Sequence, residues 1–134
     1  MRFLHTADWH IGKKLHGYDL LEDQSYIIDQ IIDLAEEQSV DAIIIAGDLY
    51  DRTVPAVDAV KCLNEKIAKI NLEKKFPLLA ISGNHDSPTR LETGSPWFKN
   101  TQFYLTTSIE ESIEPIEFSD TQFFLLPYFE PIEA

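Results

Sequence analysis

Apolar residues recur along the chain at two different spacings, and the alternation between them sets out the fold. Arg2–Thr6 is a short strand with Phe3 and Leu4 at its centre, followed by a loop that Gly12 and Gly17 punctuate. From Leu21 to Gln38 the apolar positions Ile27, Ile28, Ile31, Ile32, Leu34 and Ala35 form a helical stripe. Asp29, Asp33, Glu36 and Glu37 fall mostly off it. Val40–Ala46 is a β-branched run too short for a helix and suits a strand buried on both faces. Val57, Val60, Leu63, Ile67 and Ile70 mark a second amphipathic helix, and Phe76–Ile81 a third buried strand. The first 86 residues therefore read β-α-β-α-β. This predicts an α/β fold with a parallel sheet and right-handed crossovers.

Past residue 86 the pattern changes. A short helix is predicted from Arg90 to Phe98. Strand-like pieces follow at Gln102–Leu105, Ser112–Phe118 and Gln122–Pro127, read as antiparallel, with Ser119-Asp120-Thr121 as a hairpin turn. No internal repeat, low-complexity tract or linker interrupts the 134 residues, which is one domain's worth of chain. A hydrophobic share of 44% supplies a core. No apolar run is long enough to span a membrane, no secretory signal opens the chain, and the single Cys62 reads as a small buried hydrophobe. These features predict a cytoplasmic protein with no membrane contact. The net charge of −12 weighs against nucleic-acid binding. Its distribution qualifies that, because Lys13, Lys14, Arg52, Arg90 and Lys99 lie within or shortly after three particular loops.

Those loops carry the chemistry. The first strand ends in Asp8-Trp9-His10, the second in Gly47-Asp48-Leu49-Tyr50-Asp51, and the third in Gly83-Asn84-His85-Asp86. In a parallel sheet the ligand crevice lies outside the carboxyl ends of the strands, so the loops should bring Asp8, His10, Asp48, Asn84 and His85 to one edge. If the first segment stays extended, Asp8 and His10, two residues apart, project to one side and can share an ion. Carboxylate, imidazole and amide oxygen form a donor set suited to Mn²⁺, Zn²⁺ or Fe²⁺, and Asp48 has oxygens enough to bridge two ions. Gly47 and Gly83 would let the backbone turn sharply beside a ligand. Singly, each of these residues is ordinary loop chemistry; the case rests on the order and on the common place at strand ends. His5, inside the first strand, reads as structural or as a support to the site. His16 reads as a surface residue, and Asp41 and Asp58 as helix-flanking or solvent-facing acids.

The set D-x-H, G-D-x-x-D and G-N-H-D, in this order, resembles that of the calcineurin-like metallophosphoesterases. The stretches HTADWHIGK (5–13), LLEDQ (20–24), IAGDLYDRTVP (45–55) and ISGNHDSPTRL (81–91), with Trp97-Phe98 beyond, are similar to the DNA-nuclease branch of that family. The family's protein phosphatases read GDxVDRG and GNHE instead, whereas here Arg52 is followed by Thr53 and the third motif ends in Asp86. The resemblance implies an αββα sandwich built on the parallel core. It also implies that Asp8 and His10 ligate a first metal, Asp48 bridges two and Asn84 ligates the second. His85 would contact the scissile phosphate as the catalytic residue, with Asp51 in the shell behind the ligands. The implied reaction is Mn²⁺-dependent exonucleolytic and endonucleolytic cleavage of DNA, in repair and recombination. The implied partners are DNA and an ATPase subunit with a long coiled coil. The family also dimerises through helices after the second and third motifs.

Family members take further metal-binding histidines from a lone His and a Gly-His-x-His, but no histidine follows His85 here. The resemblance thus predicts that residues 1–134 are the N-terminal part of a nuclease domain, with the later motifs and C-terminal domains absent. Such a piece would hold at most one ion weakly and be inactive alone. A metallophosphoesterase of a small phosphodiester or phosphoprotein, and a non-catalytic scaffold, stand as alternatives. The GDLYD and GNHD details count against the first, and the intact ligand set against the second.

Overall fold

The computed structural model describes residues 1–91, 101–118 and 120–133. Four parallel strands form the central sheet in the order β1 (Phe3–Thr6), β4 (Ala42–Ala46), β5 (Leu78–Ile81), β6 (Phe103–Thr106). α1 (Leu21–Glu37) connects β1 to β4, and α2 (Val57–Ala68), extended by a π-helical turn over Lys69–Glu73, connects β4 to β5. The β-α-β-α-β reading of the first 86 residues is thus the observed path.

Side chains alternate across the sheet, as strand geometry requires. Ile43, Ile45, Leu78, Ala80 and Phe103 pack on one face with Ile28, Ile32, Ala35, Ala59, Leu63 and Ile70 from the helical layer. Ala42, Ile44, Leu79, Ile81 and Tyr104 face the other way, onto Ile116, Phe118, Phe123 and Leu125. That second layer is an antiparallel hairpin of β7 (Ile116–Phe118) and β8 (Thr121–Phe123), continued by residues 124–128. Edge-to-face ring contacts at 5.6–6.2 Å run from Phe3 through Phe123 and Phe118 to Tyr104.

Several expectations need correction. The strand expected at Gln102–Leu105 is not antiparallel: β6 pairs in parallel with β5, Leu78 opposite Phe103. The intervening chain is long enough for a crossover, which a parallel partner requires. Ser112–Phe118 is not one strand, because α4 (Ile109–Ser112) forms first, within a Ser108-to-Glu111 side-chain hydrogen bond of 3.0 Å, and only Ile116–Phe118 pairs. The pairing expected over Gln122–Pro127 ends at Phe123, and Thr121 is already strand rather than turn. The loop punctuated by Gly12 and Gly17 contains a two-residue hairpin, β2 (Lys14–Leu15) and β3 (Tyr18–Asp19), with His16 and Gly17 at positive φ in its turn. Of the helix expected over Arg90–Phe98, α3 (Pro88–Leu91) is seen; the rest, with Trp97, Phe98 and Lys99, lies outside the described residues.

One ion pair crosses the helical layer. Lys66, buried on α2, donates to Asp29 of α1 at 2.7 Å, and Lys69 donates to the same oxygen at 3.1 Å. The Lys66 hydrogen bond, opposed by burial and aided by Lys69, holds the Asp29 carboxyl below the usual carboxylate range. A lowered folded-state pKa lends stability above the ordinary carboxylate pKa, and this is lost as pH falls through the lowered value. Asp29→Asn should destabilise the protein by about 1–2 kcal/mol at pH 7, since Lys66 is left buried without its charge partner while Asp29 itself is partly solvated. Urea unfolding of both proteins should show that gap at pH 7 and its narrowing as pH falls below the ordinary carboxylate range.

Candidate metal centre

The carboxyl ends of β1, β4 and β5 open into three loops that meet. Backbone hydrogen bonds continue the β1–β4 pairing beyond the strands: Asp8 N–H donates to Gly47 O at 3.1 Å, His10 N–H to Asp48 O at 2.9 Å, and Ile11 N–H to Leu49 O at 2.9 Å. Trp9, between the two candidate ligands, is buried in the core, and its indole donates to Thr6 Oγ1 at 3.0 Å. An aromatic ring anchored inward therefore holds Asp8 and His10 at the rim.

The backbone there is not extended. Asp8, His10 and Asp48 all adopt left-handed φ, at 55°, 47° and 50°. This corrects the expectation that a straight segment projects Asp8 and His10 to one side; two tight turns around the buried Trp9 do so. Left-handed conformations are uncommon for residues with a Cβ, and several in one site mark strain held by the surroundings.

Side-chain donors converge accordingly. One ligand atom each from Asp8, His10 and Asp48 lie within 4.8 Å of one another. His10 Nε2 is 3.6 Å from Asp8 Oδ1 and 3.7 Å from Asp48 Oδ2. Donors each about 2.1 Å from a common ion sit roughly 3.0–3.5 Å apart in tetrahedral or octahedral geometry, so this set fits one divalent cation with small adjustments. The other imidazole nitrogen, Nδ1, is buried without a hydrogen bond, 3.3 Å from Asp51 Oδ1. A small rotation would make Asp51 the acceptor behind the ligand, an arrangement that fixes the tautomer leaving Nε2 free for an ion.

The third loop closes on Asp48. His85 N–H donates to Asp48 Oδ1 at 2.9 Å, and the Asn84 side-chain amide lies against the same carboxylate, 3.0 Å from Oδ2 and 3.3 Å from Oδ1, close enough to hydrogen-bond through its nitrogen or to share an ion through its oxygen. The His10 and His85 rings meet edge to face at 5.1 Å. Asn84 and His85 are exposed, whereas Asp48 is buried. A cavity of about 530 Å³ adjoins Gly83 and Asn84 and is bordered by Glu110, Tyr128 and Glu130. All of Asp8, His10, Asp48, Asn84, His85 and Asp51 thus gather at one edge. His5 does not join them; it is exposed in β1, opposite Ile44. His16 is exposed in the hairpin turn, as expected, and Lys13, Lys14, Arg52 and Arg90 are exposed around the loops.

Two residues inside the family-like stretches, Gln24 of LLEDQ and Asp86 of G-N-H-D, shape the site although neither reads as a site residue in the sequence. Gln24, on the inner face of α1, accepts from Gly12 N–H at 3.1 Å and donates to the carbonyls of Trp9 and His10 at 3.1 and 2.8 Å. Besides its place in LLEDQ, its signal is a polar side chain four residues before Ile28, on the apolar stripe. Asp86, buried, accepts from the N–H groups of Leu49, Tyr50 and Gly83. Burial raises its carboxyl above the usual range, opposed by these donors, Gly83 foremost, while the neighbouring Asp48 charge adds to the rise. Burial first, then Asp86 and Cys62, push the Tyr50 phenol up to about 12.

Residues 1–131 match the calcineurin-like phosphoesterase family. Over 128 residues, 96% of this chain, the sequence is 50% identical to a Staphylococcus epidermidis protein named as the D component of the nuclease SbcCD. The chain spans about a third (34%) of that relative's length.

Gly83 has no room for a side chain, because a Cβ there would meet the Asp48 carboxylate and backbone nitrogen. Gly83→Ala should therefore destabilise the protein by about 1–3 kcal/mol in chemical unfolding, through displacement of the second loop. It should also speed hydrogen exchange of the His85 amide.

Proposed function

The chain belongs to the calcineurin-like phosphoesterases, and on that footing we propose that it forms the metal-binding part of a DNA-hydrolysing nuclease subunit of the SbcD type. One observation carries the reading: the Asp8, His10 and Asp48 donors lie within 4.8 Å of one another at the ends of adjacent parallel strands. In this reading Asp8, His10 and Asp48 hold a first Mn²⁺, and Asp48 with Asn84 offers oxygens to a second. When bound, such ions supply Lewis acidity toward a phosphate oxygen and an attacking water.

The chain's own residues supply the rest. Asp51 orients His10 through Nδ1. His85, exposed beside Asp48 with its backbone N–H already engaged, keeps its imidazole free to donate a proton or hydrogen bond to the phosphate and its leaving oxygen. Lys14 and Arg52 border the same small depression as Asp51 and put cations beside an acidic site. A chain of charge −12 needs such a local exception to approach a polyanion. The second ion has no imidazole from residues 1–134, so the domain is proposed to draw its remaining ligands from sequence C-terminal to this part.

The relative's name describes one component of a nuclease. The partners proposed here are correspondingly DNA, an SbcC-type ATPase and a second copy of the subunit, through the α2 side or the segment around Trp97-Phe98, acting in repair, recombination and replication in the cytoplasm. Among the described residues no helix is long and apolar enough to cross a membrane.

Two measurements test this. Calorimetric titration of the 134-residue chain with Mn²⁺ should show no more than one weak site, lost in Asp48→Ala. In a full-length protein of this type, Asp48→Ala should abolish DNA hydrolysis. His85→Ala should slow it about 10²-fold or more with Mn²⁺ affinity kept, because its role lies in the transition state rather than in holding metal. Loss of Mn²⁺ affinity in the His85 variant would overturn that assignment.

A further inference from the structure

Asp86 touches no candidate ligand atom, yet it is a carboxylate only 4% exposed whose two oxygens are both engaged. Oδ2 accepts from Leu49 N–H at 3.1 Å and Gly83 N–H at 2.9 Å, and Oδ1 accepts from Tyr50 N–H at 2.9 Å. Leu49 and Tyr50 directly follow Asp48, and Gly83 directly precedes Asn84. The tie is reciprocal, since Asp48 of the second loop accepts from His85 N–H of the third at 2.9 Å. Each loop thus lends a carboxylate to the other's backbone, through three hydrogen bonds in all.

We infer that Asp86 is a positioning residue for the metal site: by locking the loop after β4 to the loop after β5, it sets the separation of Asp48 from Asn84 and His85 before any ion arrives. Three features support this over a purely structural role. The gripped backbone groups flank the ligands rather than the sheet. The grip spans the two loops from which a bridging site would be built. The third loop, whose Asn84 and His85 are exposed, has little apolar packing of its own to hold it. Coordination tolerates errors of only about 0.5 Å, so a loop free to drift would cost affinity.

The inference rests on the metal-site reading, and the experiment separates the two. In a full-length protein of this type, Mn²⁺ affinity is measured by electron paramagnetic resonance of the free ion for the wild type, for Asp86→Asn and for Ile32→Val, a fully buried core variant remote from the loops. Asp86→Asn keeps the volume but turns an N–H toward an N–H in either amide orientation. Expected are a tenfold or larger loss of affinity in Asp86→Asn and no loss in Ile32→Val, with unfolding midpoints recorded for both. Equal affinity in wild type and Asp86→Asn would overturn the positioning role and leave the metal site standing; no binding by the wild type would overturn both. Should Asp86→Asn fail to fold, hydrogen exchange of the wild-type protein without metal decides. The Leu49, Tyr50 and Gly83 amides should be protected at least a hundredfold over free-chain rates, and exchange at free-chain rates would show that the lock is not made in advance.

Discussion

Parallel pairing of β1 with β4 and of β4 with β5 decides where three strands stop. Thr6, Ile45 and Ala80 lie in one hydrogen-bonded row across the sheet. Asp8, Asp48 and Asn84 follow that row by two, three and four residues. A parallel sheet cannot send alternate strand ends to opposite edges, so residues far apart in sequence arrive together with no long-range search of their own. Both faces of the sheet must be covered for this to hold. The helices α1 and α2 cover one, and the β7–β8 hairpin with its continuation covers the other. Core packing and site geometry are therefore one problem, solved by the same register.

Beyond the strands the backbone turns into conformations that cost free energy. Residues held in sparsely populated φ regions cost on the order of 1–3 kcal/mol each, and Asp8, His10 and Asp48 are all of this kind. What offsets the cost is visible. Trp9 is buried between two of them, the ladder of N–H to carbonyl bonds runs on to Leu49, and Gln24 and Asp86 grip the turns from behind. The result is a rim of polar side chains on a stiff frame, with the acidic groups held apart by the frame rather than by their own contacts.

How much of this the sequence discloses follows from the range of each interaction. α1 and the buried strands are legible because hydrophobic periodicity is local and strong. The gathering of Asp8, His10, Asp48, Asn84 and His85 is legible because it follows from strand direction alone. The direction of β6 is not, because four residues such as Phe103–Thr106 look alike in parallel and antiparallel partners; only the crossover distinguishes them. The left-handed turns at Asp8 and His10 are hidden for another reason. Aspartate and histidine tolerate positive φ better than most residues, but they are equally at home in extended chain, so nothing in D-W-H announces the turn. Asp86 sits in a motif whose residue types are common in loops, and its three donors are backbone groups, two of them from another loop. No residue-type pattern records those.

The clustering of left-handed backbone at Asp8, His10 and Asp48 sets stability against activity. Glycine would occupy each of these positions without steric penalty. At Asp8 and Asp48 it would also remove one of three neighbouring carboxylates. Selection for folding alone would thus drift toward glycine at the very places where the chemistry needs a side chain. A robust fold with an empty rim is the easier evolutionary outcome, and three strained polar residues, two of them like-charged, are the mark of a surface kept for work rather than for its own stability.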